Sequence, residues 1–173
     1  AVITIGRNSG EGSDRVEVDD FLLSKKELKM IEVTSKEFRS LGKQVVVVLN
    51  VGGVIETESW KNHADSIILA WQGGQEAGNS VADILTGKVN PSGKLPMTFP
   101  VNLIDHASSS NFPMDGEPLD VKSLMIRNND KPLNKQQKNK DFTLYDEGIY
   151  VGYRHFDKAK IDVSYPFGFG LSY

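Results

Sequence analysis

The chain has 173 residues, 39% of them apolar, and a formal net charge of −3. That is the size of one domain with a core of its own, and the interspersed signs offer neither the basic stripe of a nucleic-acid binder nor a polybasic membrane patch. Cysteine is absent, which removes disulfide frameworks and thiolate metal sites; no apolar run approaches a membrane span, no signal peptide is visible, and small neutral ligands stay open.

The first predicted element is a strand, AVITI at 1–5, which runs directly into GRNSGEGSDR at 6–15. A chain that opens inside a strand is expected to be a piece of something longer. Gly6, Gly10 and Gly12 place Glu11 on a loop where backbone and ligand can approach closely. Two readings of Glu11 stand side by side. It is an aimed acid, or it pairs with Arg7 or Arg15 and fixes the turn. Asp14 and Arg15 are read as structural, since an adjacent guanidinium keeps an aspartate ionised and out of proton chemistry.

Ser24-Lys25-Lys26-Glu27 is a capping-box pattern, and Leu28, Ile31, Phe38 and Leu41 then share a helical face that Gly42 terminates. Residues 45–49 form a continuous β-branched run of the kind buried on both faces of a parallel sheet. Gly52-Gly53 ends it. A short helical turn is expected at 58–63, a second buried strand at 66–71, and a helix from 76 to 85 after the Gly73-Gly74 turn. Residues 90–93 read as a turn and 95–99 as a short strand. The stretch 100–141 reads as a surface excursion, and its 128–141 part is too polar for a core. Aromatics and glycines at 149–153 and 166–169 are expected to cover a sheet edge or floor an interface.

Strands alternating with helices, each strand unbroken in its hydrophobicity, predict right-handed crossovers and the α/β class: a three-layer α/β/α sandwich with a mostly parallel sheet. In such sheets ligands meet the loops at the carboxyl ends of the strands, where Glu11 falls.

Other chemistries find no pattern. His63, His106 and His155 lack zinc-site spacing, so neither metal nor cofactor is expected. The 6–12 loop has neither GxGxxG nor GK[ST], and a glutamate at its tip repels phosphate. Ser9 and Ser13 stand in no GxSxG elbow. Trp71 is read as packing, with sugar stacking as the alternative, and Glu76 as a complement to a helix dipole.

GRNSGEGSDR at 6–15 resembles the loop that carries the general acid/base glutamate in many family 3 glycoside hydrolases, mostly β-glucosidases, and that glutamate falls on Glu11. WQGGQEAGNSVADILTGKVNPSGKLPMTFP at 71–100, YDEGIYVGYRHFD at 145–157 and YPFGFGLSY at 165–173 are similar to the family's C-terminal α/β domain, in the family's order. The resemblance implies that 1–173 is part of that single domain. It implies a retaining β-glucosidase acting on terminal β-D-glucosyl residues of a β-glucoside or oligosaccharide, with Glu11 as general acid/base. It also implies that the nucleophilic aspartate and most of the sugar pocket belong to an N-terminal (β/α)8 barrel absent from this chain, and that the whole is periplasmic or extracellular. A retaining site needs two carboxyl groups, so the isolated chain is expected to be inactive. The alternative is a carbohydrate-binding or structural interaction domain without a catalytic role. Two departures from the family pattern lie in the Trp71 motif: Gly73 where proline is common, and Ala77 where glycine is common.

Overall fold

In the computed structural model, which describes residues 1–8, 15–109, 145 and 147–171, the three β-branched runs pair as one parallel sheet. Strands β1 (Val2–Gly6), β2 (Val46–Asn50) and β3 (Ser66–Leu69) lie in the order β1-β2-β3. Val2 stands opposite Val46, and Val46 opposite Ser66. Parallel neighbours need a crossover, and helix α1 (Lys25–Ser40) supplies the first. Its start is set locally: the Ser24 hydroxyl accepts the Glu27 N–H at 3.3 Å, and Glu27 Oε2 accepts the Ser24 N–H at 2.8 Å. Gly42, at φ +65°, closes its other end. The parallel sheet and alternating helices are the α/β class expected.

Alternation along the strands turns Ile3, Ile5, Val47 and Leu49 to one face, where they join Ile31 of α1, Val45, Val51, Ile55 and Trp60 in a buried cluster. On the opposite face Val48 is buried, while Val2 is 56% exposed. Trp60 is fully enclosed and its indole N–H donates to the Glu56 carbonyl at 2.8 Å, so its one polar atom is satisfied inside the core. No helix among the described residues is long and apolar enough to cross a membrane.

The buried stripe of α1 is shorter than its periodicity implies. Leu28 packs against the core and Ile31 and Ser35 are buried, but Phe38 is partly exposed and Leu41 is 71% exposed. A helix of this length runs about 24 Å, whereas a five-residue strand covers about 17 Å, so its last turn overshoots the sheet. Strand β3 also differs from the buried strand expected over 66–71. Among the described residues it pairs on one side only, its residues are half-buried or exposed, and it stops where Trp71 turns to φ +52°.

Helix α2 (Ala77–Leu85) lies within the expected 76–85, yet none of its residues is fully buried. Its entrance joins the two departures from the family pattern. A Cβ placed on Gly73 would lie 2.7 Å from Ala77 Cβ and 3.0 Å from Ala77 Cα. Side chains at 73 and 77 therefore compete for one space, and this chain carries its methyl at 77. Gly73→Ala is expected to lower stability by about 1–3 kcal/mol, with the loss shrinking when Ala77→Gly is added. A four-variant denaturation cycle should return a coupling of about 0.5–3 kcal/mol; strictly additive losses would remove the contact as the cause.

The expected strand at 95–99 narrows to β4 (Phe99–Pro100), because Pro96 has no N–H to give a ladder. β4 pairs antiparallel with β5 (Val163–Tyr165), Phe99 opposite Tyr165, while Leu95 exchanges backbone hydrogen bonds of 2.8 Å with 168 and 169. The Thr57 and Ser164 hydroxyls, 2.7 Å apart, tie β5 to the segment below the core. Helix α3 (Tyr153–Ala159) buries Phe156. The tail aromatics behave in part as expected: Tyr165 stands edge-on to Phe99 and Tyr153 stacks on Phe167, while Tyr150 and Phe169 stay partly exposed. The polar stretch 128–141 lies outside the described residues.

Candidate active-site edge of the sheet

The carboxyl ends of β1, β2 and β3 define one edge, and the sequence places the GEG loop directly after β1. Glu11 itself, with Ser9, Ser13 and Asp14, lies outside the described residues. Both chain segments that flank it are described, and both are fixed by arginines.

Arg7, the residue after β1, donates its backbone N–H to the Asn50 carbonyl at 3.1 Å, extending the β1–β2 ladder past Gly6. Its guanidinium reaches α1: Nη1 and Nη2 donate to the two Glu27 carboxylate oxygens at 2.7 and 2.9 Å, and Nε donates to the Asp20 carbonyl at 2.8 Å. The Arg7 side chain is 8% exposed and that of Glu27 24%. The guanidinium's hydrogen bonds, opposed by burial and aided by the Ser24 N–H, hold the Glu27 carboxyl at about 2, against an ordinary 4.5. One carboxylate thus caps α1 and grips the root of the loop.

Arg15, at the far side, forms an ion pair with Asp20. Asp20 also accepts the Val16 N–H at 3.1 Å, inside a short π-type turn over Glu17–Phe21 that Asp19 enters at φ 60°. The guanidinium lies on Gly53: a Cβ there would be 3.2 Å from an Arg15 terminal nitrogen. Arg15 thus braces the far flank of the loop through Asp20 and against Gly53. The partners of the two arginines, Glu27 and Asp20, were not legible as such. Glu27 was visible only as a capping residue, and nothing local marked Asp20.

Beside these anchors, Val51, Gly52, Trp71, Gln72, Pro96 and Met97 line an open cavity of about 350 Å³. Trp71 packs as read: its ring is tilted against Phe99 with centroids 6.3 Å apart, and it borders the main core. It also holds a left-handed backbone conformation, which costs a residue with a Cβ about 1–3 kcal/mol and is found where ligands are clamped. Glu76 sits at the start of α2 and accepts from the Asn79 amide at 2.6 Å.

The histidines fall elsewhere. His106 and His155 both stand edge-on to Phe156, and His155 Nε2 is 3.0 Å from the Asp105 carbonyl oxygen, the position of an N–H donor. Burial pushes the His106 pKa down, with Asp105 opposing. Among the described residues no group of three potential ligands could hold a metal ion.

The family model described as "Glycosyl hydrolase family 3 C-terminal domain" matches residues 1–153. The chain is 39% identical to beta-glucosidase A of Butyrivibrio fibrisolvens, over all of this chain and 21% of that protein. Beta-glucosidase B of Emericella nidulans is 41% identical over 73% of the chain and 14% of its own length. Among solved structures, beta-glucosidase 3B from Thermotoga neapolitana, in complex with glucose, is 46% identical with a TM-score of 0.80, over 99% of this chain and 21% of that one. The chain thus spans about a fifth of the length of such relatives, 21% for the first. With the motif order, the parallel sheet and the family model in agreement, the chain belongs to glycoside hydrolase family 3, within its C-terminal domain.

Proposed function

We propose that this chain is part of a retaining β-glucosidase and supplies its general acid/base, Glu11. The observation that carries the reading is the anchoring of both flanks of the GEG loop, Arg7 on Asn50 and Glu27, Arg15 on Asp20 and Gly53, at the carboxyl edge of a family 3 sheet. Such sheets meet their ligands at that edge. A bidentate fork from Arg7 on one side and an ion pair from Arg15 on the other are the support a precisely placed acid needs.

In this reading the nucleophilic carboxylate and most of the glucose pocket belong to an N-terminal (β/α)8 barrel, and 1–173 is part of the C-terminal α/β domain. Retention needs the two carboxyl groups about 5–5.5 Å apart. Glu11 protonates the departing glycosidic oxygen, then takes a proton from the water that opens the glycosyl-enzyme. Its carboxyl must be protonated near neutrality at the first step, which an apolar surround or the nucleophile's charge brings about. The whole protein works in the periplasm or outside the cell.

The test compares two preparations. The full-length protein should hydrolyse an aryl β-glucoside with net retention, followed by proton NMR of the first-formed anomer. The 173-residue chain alone should show no saturable turnover. Turnover by the isolated chain would overturn the division of the carboxylates, and inversion by the full-length protein would overturn the mechanism.

A further inference from the structure

The geometry points to the cavity between Val51–Gly52, Trp71–Gln72 and Pro96–Met97 as the subsite that takes the leaving group of the substrate, a single neutral ring, sugar or aryl. This rests on the glycosidase reading above.

Three observations carry it. The first is place. Val51 and Gly52 follow β2, and Trp71 and Gln72 follow β3, so the cavity opens on the sheet edge where Arg7 leaves β1 and Arg15 touches Gly53. A general acid acts on the bond to the leaving group, so the leaving group must lie beside the loop that carries the acid.

The second is chemistry. Among the described residues, Val51, Trp71, Pro96 and Met97 offer apolar surface, Gln72 the one side-chain amide, and no charged side chain lines the wall. An amide has two donor hydrogens and two acceptor lone pairs, which suit hydroxyls and ether oxygens. A tryptophan face beside an amide fits a ring that is apolar on its face and hydroxylated at its rim; an ionic ligand finds no counter-charge among the described lining residues. At about 350 Å³ the cavity is near the small end of ligand sites, which run from about 300 to 1,000 Å³. That is room for one ring.

The third is construction. Trp71 is held at φ +52° with Phe99 behind its ring, so its orientation is imposed by its surroundings. Gly52 makes room for the amide: a Cβ there would lie 2.9–3.0 Å from the Gln72 amide atoms. The glycine backbone at 52 is not left-handed, so alanine is allowed and its methyl would push the amide out of place.

The experiment measures kcat/KM of the full-length protein for cellobiose, for p-nitrophenyl β-glucoside and for β-glucosyl fluoride, whose leaving group is too small to reach the cavity. Gln72 is exposed, so its substitution should not unfold the protein. Gln72→Ala should lower the cellobiose-to-fluoride ratio of kcat/KM about tenfold, the size of one lost hydrogen bond to substrate. Gly52→Ala should move the same ratio the same way with Gln72 still present. Trp71→Leu should lower the nitrophenyl-to-fluoride ratio, read alongside its Tm because Trp71 also packs on the core. Ratios unchanged in Gln72→Ala and Gly52→Ala, with the wild type active on all three substrates, overturn the subsite alone. Unchanged ratios with a lowered Tm mean that another segment of the polypeptide fills the cavity, which also overturns it. A wild type inactive on all three overturns the glycosidase reading and this inference with it.

Discussion

Glu11→Ala in the full-length protein is expected to lower kcat/KM for a β-glucoside with a sugar leaving group by about 10²–10⁴-fold, the usual contribution of a positioned general acid. A nitrophenyl glucoside should lose far less in the same step, because nitrophenolate departs without a proton. Once glycosylated, the variant has no base to activate water, so azide, which needs none, should restore its turnover and yield a glucosyl azide of retained configuration. Equal losses on the two substrates, with azide inert, would make Glu11 a brace for its loop and return the chain to a scaffold or binding role.

Arg7→Met is expected to destabilise the protein by about 2 kcal/mol near pH 7. Removing one partner of a buried ion pair costs about 3–5 kcal/mol, but Glu27 is partly open to solvent, which screens the pair. The same pair predicts a pH dependence with a definite sign. The folded state holds Glu27 at about 2 and the unfolded chain at 4.5, so the stabilisation is complete above pH 4.5 and is lost as pH falls towards 2. Denaturation of wild type and Arg7→Met at pH 7 and pH 3 should therefore give a gap that narrows in acid. A gap that stays constant would assign the loss to the packing of the arginine stem rather than to its charge. On the proposed glycosidase reading, Arg7→Met in the full-length protein should also reduce kcat, because the guanidinium fixes the chain four residues before Glu11.

These two predictions differ in how far they were legible. Glu11 was legible as a candidate because three glycines around one carboxylate after a strand is a local pattern, and the motif match suggested the role proposed for it. The grip of Arg7 on Glu27 was not, because it joins residues 20 apart across a crossover helix. Arg7 and Arg15 were both visible as possible partners for a loop carboxylate. The structure gives Arg7 to Glu27 and Arg15 to Asp20, so the two arginines hold the flanks of the loop.

By itself the sequence determined the order of strands and helices as far as α2, because each is written in short-range terms: the capping box at Ser24 and Glu27, the β-branched run at 45–49, the glycines at 42, 52 and 53; α3 and β5 were not legible in it. It also determined the family, through residue patterns that keep their order along the chain. Only the tertiary structure decided how much of each face is covered. The stripe of α1 ends near Ser35 because the helix is longer than the strands beneath it, and β3 is half-open because it pairs on one side alone among the described residues. It also decided that β4 meets β5 and that loops after β2, after β3 and before β4 enclose one cavity. Periodicity reports which way a side chain points. What it meets there depends on segments tens of residues away, whose approach is set by packing and loop path rather than by any local signal.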